Sequence, residues 1–261
     1  VRFSSHAAAT PPYAIDAAFL ARVHHVMDTL LAQNLNVILD MHHYLELFDD
    51  PDGNRARFAE LWRQVAASFK DAPANVWFEL INEPNNKLND SNLLATLTPA
   101  LAAVRASNPT RPVVIGGQNW SGVDSLASVQ FPNDPYLVPT IHTYDPFDFT
   151  HQGAPFVSPV LPTGRVFGSS TDYANLDSNL VKVQNFMTRT GRVPFVGEYG
   201  AYEGISLDQR ALYYRTVSSA YASIGVQSCA WGYNNTMNLW TDGGGWITQI
   251  LDGISTTTTV N

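Results

Sequence analysis

Short runs of β-branched and other apolar residues alternate with longer stretches whose apolar positions recur every three or four residues, and the alternation continues along almost the whole chain. The strand-like runs are Val1 to Phe3, Asn36 to Met41, Val76 to Ile81, Val113 to Gly116, Val138 to His142, Pro194 to Glu198 and Val226 to Trp231, seven in all. Between them the spacing predicts helices over Ile15 to Ala32, Asn54 to Phe69, Asn92 to Ala106, Ala174 to Arg189 and Asp208 to Ile224. Each helix returns the chain for another strand in the same direction, which is the pattern of a parallel α/β fold. Ser121 to Tyr136 and His151 to Asp172 are rich in Pro, Gly and Ser and lack periodicity. They are expected as long loops over one end of a sheet, where such folds carry function.

A chain of 261 residues with 45% apolar positions can bury a substantial core, which excludes a disulfide scaffold and disorder. Fifteen basic against 23 acidic residues leave a net charge of -8 without a basic run, so nucleic acid is not an expected partner. No uninterrupted apolar stretch approaches the ~18 residues of a membrane span. The one cysteine, Cys229, forbids an internal disulfide; in an apolar strand with no basic neighbour it is expected to be buried and inert. Charged residues are scarce at 15% and aromatic ones reach 11%. Rings flanked by Asn, Gln, Ser and Thr suit a polar but uncharged ligand such as carbohydrate, and equally suit an aromatic core.

Two strand ends carry the chemistry. VWFELINEPNN places Glu83 at the end of the third strand-like run, stopped by Pro84. Alternation puts Trp77, Glu79, Ile81 and Glu83 on one side, with Asn82 on the other unless the strand end twists. PFVGEYGAY places Glu198 in the same position on a later strand, with Gly197 and Gly200 permitting close approach. Alone, Glu83 could be a helix cap or a surface residue. Two carboxylates at the mouths of different strands are the minimum apparatus for glycoside hydrolysis. His42 and His43 adjoin Asp40, but neighbouring strand residues face opposite ways and no second ligand pair has zinc-like spacing, so neither a metal nor a cofactor is expected. Glu79, four residues deeper than Glu83, reads as a buried structural carboxylate. Trp120 and Trp240, the latter in the loop expected after the last strand, are candidate sugar platforms or core residues.

The segments NVILDMHHY, ELINEP, IHTYDPFDFTHQG, FVGEYG and CAWGYNN, in that order, resemble glycoside hydrolase family 5, the large cellulase family of retaining (β/α)8 barrels. The resemblance covers nearly the whole chain. It implies that Glu83 is the acid/base and Glu198 the nucleophile. It also implies that Asn82 holds the sugar 2-hydroxyl, that His142 and Tyr144 flank the nucleophile, and that Arg2 pairs with it. His42 would lie near the reactive sugar and Trp231 beneath it, and with His43 they complete the substrate-binding candidates. Arg2 and Tyr144 would keep Glu198 ionised, while the resulting negative charge would hold the proton on Glu83.

Within the resemblance, Val1 begins what matches the family's second strand and Cys229 lies in the eighth. The expected architecture is therefore an α/β (β/α)8 TIM barrel lacking its first βα unit, spanning 1–254, with a Thr-rich tail at 255–261. A space one strand wide would separate the strand of Arg2 from that of Trp231. The expected activity is endo-acting cleavage of β-1,4-glucan, with mannanase, xyloglucanase and β-glucosidase as alternatives within the family. An inactive carbohydrate-binding barrel is the rival from another class, and a metal hydrolase a third. A β-glucan polysaccharide or oligosaccharide is the expected partner, with neither nucleic acid nor membrane, in a protein that is monomeric when complete and secreted or periplasmic.

Overall fold

The computed structural model describes residues 1–255, so most of the expected tail lies outside the described residues. The chain divides into two compact units, Val1–Ser121 with Ser128–Pro139, and Gly122–Ala127 with the chain from Thr140 on. Along it run six parallel strands: β1 Val37–Asp40, β2 Val76–Glu79, β3 Val113–Gly116, β4 Leu137–His142, β5 Phe195–Tyr199 and β6 Ser228–Ala230. Helices α1 Ala17–Ala32, α2 Pro51–Ser68, α3 Leu93–Arg105, α4 Ser170–Thr190, α5 Leu207–Ser223 and α6 Thr248–Ser255 accompany them.

In the first unit β1 pairs with β2 from Val37 opposite Val76 to Asp40 opposite Glu79, and β2 pairs with β3. Backbone bonds from Met41 N to Glu79 O and from Asn82 N to Met41 O carry the β1–β2 ladder onward toward Glu83. Helix α2 starts where Asp50 accepts a bond from Gly53 N, with Pro51 in its first turn. It buries Phe58, Leu61, Trp62, Val65 and Ala66, a stripe at three- and four-residue spacing, and packs against α3. The approach to β2 is held by Arg111, whose guanidinium donates to the carbonyls of Ala72, Pro73 and Val76 and lies over the Phe78 ring.

In the second unit β5 lies between the end of β4 and β6. Helix α4 opens with a capping box formed by Ser169 and Asp172 and closes on Gly191 at φ 67°. Helix α5 buries Tyr213, Tyr214, Val217 and Tyr221 and packs against α6. Between β6 and α6 a short antiparallel hairpin forms from β7 Trp240–Thr241 and β8 Gly245–Trp246.

Three expectations are corrected. Val1 to Phe3 is not a strand: Val1 makes two ladder-like bonds, from its amine to Asp40 O and from His42 N to its own carbonyl. The chain then turns into the 3-10 helix Phe3–His6, which buries the Phe3 ring edge-on to Phe19. The segment around Trp240, expected as loop, is the hairpin. Cys229 is exposed rather than buried, because β6 pairs with β5 along one edge and its short span leaves that side chain uncovered.

Candidate active site

The first unit gathers six of the candidates around the ends of β1 and β2. Strand β2 stops at Glu79, so the alternation assumed for Asn82 and Glu83 no longer applies. Glu83 instead turns into the left-handed region at φ 51°, and its carbonyl accepts a bond from the Asn85 side chain at 2.7 Å. That turn leaves Asn82 buried, and its Nδ2 has no hydrogen-bond partner among the described residues. Glu79 is buried, as its depth along the strand implied. Trp120 lies in a run of three left-handed residues, Asn119 to Ser121. Its backbone N–H donates to Pro84 O at 3.0 Å, tying an indole that is 58% exposed to the segment that carries Glu83.

His42 and His43 do not point apart. His43 also has a positive φ, 57°, and the two rings lie 4.2 Å apart between centroids. Asp40 Oδ2 accepts from His42 Nδ1 at 2.7 Å, while Arg2 Nη2 lies 3.1 Å from His43 Nδ1. A guanidinium only donates, so Nδ1 of His43 is an acceptor and its proton sits on Nε2. Burial holds the His43 pKa below its ordinary value, with the neighbouring His42 and Arg2 adding to the effect and the charges of Glu83 and Asp40 opposing it.

The second unit assembles Glu198 with its neighbours. Tyr144 OH donates to Glu198 Oε2 at 2.8 Å, and His142 Nδ1 lies 3.6 Å from the same oxygen. His142 is buried and stands opposite Glu198 in register, with a shift at Ile141/His142 that brings the two side chains level. Close approach here depends on Gly197: a β-carbon would fall 2.5 Å from Thr140 Oγ1 and 2.9 Å from His142 Nε2. Gly200 has the same role for the next strand, since a β-carbon would lie 2.5 Å from Trp231 O. Trp231 is tied in by Tyr199 O, which accepts its backbone N–H at 2.8 Å, and by Tyr214 OH, which donates to its carbonyl at 2.6 Å. Trp240 belongs to a different cluster on the hairpin, stacked on Tyr233 and edge-on to Trp246.

The second unit thus offers a carboxylate that receives a phenolic hydrogen bond beside an imidazole, which suits a group that must remain ionised. The first offers a second carboxylate on a fixed turn, next to a buried amide donor and two imidazoles. Sequence reasoning missed the cluster of Phe147, His151 and Phe156: Phe147 stacks on His151 at 4.0 Å, and His151 lies edge-on to Tyr144. The run PFDFTHQG was visible, but its composition does not say which rings meet.

The cellulase (glycosyl hydrolase family 5) family model matches residues 1–237. Endoglucanase H of Acetivibrio thermocellus is 32% identical over 231 residues, 88% of this chain, and the chain spans only 25% of that protein's length. A hyperthermophilic endo-β-1,4-glucanase solved in complex with substrate superposes with a TM-score of 0.94 at 32% identity, over 97% of this chain and 83% of its own. Thermotoga maritima Cel5A, solved with mannotriose, gives 0.93 at 30% identity and the same coverages. The fold is that of the (β/α)8 barrel class, with six of the parallel strands present among the described residues. No described helix is long and apolar enough to cross a membrane.

Proposed function

The chain belongs to glycoside hydrolase family 5, and from that premise we propose that it is a retaining, endo-acting β-1,4-glucanase. Residues 1–254 are the catalytic domain in this reading, and no cofactor or metal takes part. Glu198 attacks the anomeric carbon while Glu83 gives its proton to the leaving oxygen; a glycosyl-enzyme forms on Glu198, and water activated by Glu83 then releases the sugar. Asn82 holds the sugar 2-hydroxyl, Trp231 lies beneath the ring, Arg2, His42, His43 and His142 border it, and Trp120 and Trp240 extend the groove. A polymer too large to cross a membrane is met outside the cytoplasm, so the enzyme is secreted or periplasmic.

The observation that carries this reading is the 2.8 Å bond from Tyr144 to Glu198, with His142 beside the same oxygen. A hydroxyl donating to a carboxylate favours its ionised, nucleophilic form, which a retaining enzyme needs on one carboxylate and not on the other. The related structure bound to mannotriose favours a second substrate, β-mannan, for the same carboxylates. The test is a pre-steady-state burst from an aryl cellobioside with a good leaving group. Glu83→Gln should keep the burst and lose turnover, because such a leaving group needs no proton, whereas Glu198→Gln should lose both. The reverse pattern would show that the roles are exchanged, and reducing-end assays on soluble glucan and mannan decide the polymer.

A further inference from the structure

We propose that the cavity enclosed by the segments Gln152–Val166 and Tyr202–Gln209 is a second saccharide site, which takes one neutral pyranose unit of the polymer beyond the bond that is cleaved. The inference rests on the glycan-hydrolase reading above for the identity of its ligand, but it is drawn from different residues. The cavity holds about 410 Å³ and is lined by Gln152, Thr163, Arg165, Tyr202, Ser206 and Gln209, among others. That volume is in the range of small-molecule sites.

Its chemistry points to an uncharged, hydroxyl-rich ligand. The only cationic side chain in the lining, Arg165, is already committed: its Nε donates to Asp148 at 3.3 Å, and its other nitrogens pair with the buried Asp172. An anion would find that charge neutralised. By contrast, the hydroxyls of Thr163, Tyr202 and Ser206 have no hydrogen-bond partner among the described residues. Gln209 accepts from Phe167 N at 2.7 Å through Oε1, which fixes its amide and leaves Nε2 as a donor for the cavity. Three hydroxyls and an oriented amide match the alternating donors and acceptors of a sugar. An apolar face is present too, because Val166, Ile205 and the Tyr202 ring belong to the lining.

The wall is preformed, which limits the ordering cost of binding. The buried Gln152 side chain accepts from Gly164 N and Arg165 N and donates to Arg165 O and Phe149 O, closing the loop on itself. Gly164 sits at φ +97° with open space where a β-carbon would stand. The wall is also continuous with the nucleophile's support. Tyr202 N donates to Thr150 O at 2.8 Å, and Thr150 Oγ1 donates to Tyr144 O, the residue bonded to Glu198.

Native gels containing hydroxyethyl cellulose test the proposal without turnover, with every protein carrying Glu198→Gln. Thr163→Trp fills the cavity from an exposed position, and Gln209→Glu keeps the Phe167 bond while removing the Nε2 donor. Each should weaken retention roughly three- to tenfold relative to the parent, the loss expected of one or two hydrogen bonds. With Glu198 intact, both variants should raise KM for the polymer by a similar factor and leave aryl cellobioside turnover unchanged. Unaltered retention in both variants overturns the site, as does an equal loss on polymer and cellobioside. If the unmutated chain cleaves neither substrate, the hydrolase reading fails, and the gels still decide whether the cavity holds sugar.

Discussion

At the scale of single residues, the environment of Glu198 makes the sharpest demand. Tyr144→Phe removes a hydrogen bond to a charged acceptor and keeps the ring against His151, so kcat on an aryl cellobioside should fall by roughly 10- to 100-fold with the melting temperature nearly unchanged. An unaltered kcat would show that the bond does not support the nucleophilic role proposed for Glu198. His43 gives a titration to follow. Because burial, then His42 and Arg2, depress its pKa, it should stay neutral at pH values where an ordinary histidine is already charged. Its contribution to stability is present above the unfolded value of 6.5 and is lost as the pH falls through the depressed folded value. Arg2→Met should move its imidazole resonance titration upward in NMR, and no movement would rule out the electrostatic part. These residues were legible as types at strand ends, but their postures were not. Positive φ at His43 and Glu83 reverses the side-chain direction that alternation assigns, and no hydrophobic pattern records the sign of a dihedral angle.

At the scale of elements, the two candidate platforms separate by context. Trp120 is exposed on a left-handed turn pinned to Pro84, whereas Trp240 is half-buried in the three-ring packing of the β7–β8 hairpin. Trp120→Ala should therefore weaken long cello-oligosaccharides by roughly 1–3 kcal/mol in calorimetric titration, with little effect on cellobiose. Its melting temperature should not move. Trp240→Ala should lower the melting temperature by several degrees, since it removes the ring that Tyr233 and Trp246 both contact. If Trp240→Ala melts like the parent, the hairpin does not depend on that packing. Five helices and five of the parallel strands were readable because each buries an apolar stripe or run bounded by polar turns, as in α2 and β3; β6, with no buried residue, was readable only through the apolar run Val226 to Trp231 that contains it. The hairpin and α6 escaped notice: two-residue strands are too short to show a period, and WITQILDGIS follows a glycine run that reads as loop.

At the scale of the whole molecule, the order of motifs was more informative than length, since 261 residues would suit a complete barrel. The parallel α/β order was legible in the alternation of runs and stripes and the barrel class in the resemblance of the motif segments to the family, whereas the sequence's strongest local error, a buried Cys229, came from treating β6 as covered on all sides. That cover is incomplete on the first and last of the six strands, where Ile38 on β1 and Cys229 on β6 are exposed. The native protein should accordingly take up one maleimide per chain, read by intact mass, before any unfolding; labelling only in denaturant would contradict the exposure. An exposed thiol that is also the sole cysteine is a ready anchorage for an optical probe, needing no mutation elsewhere. Only Ala230 separates it from Trp231, which the proposed reading sets beneath the sugar, so on that reading an environment-sensitive fluorophore coupled at Cys229 should brighten or dim as sugar arrives, and the protein would report its own occupancy in a turbid slurry of biomass.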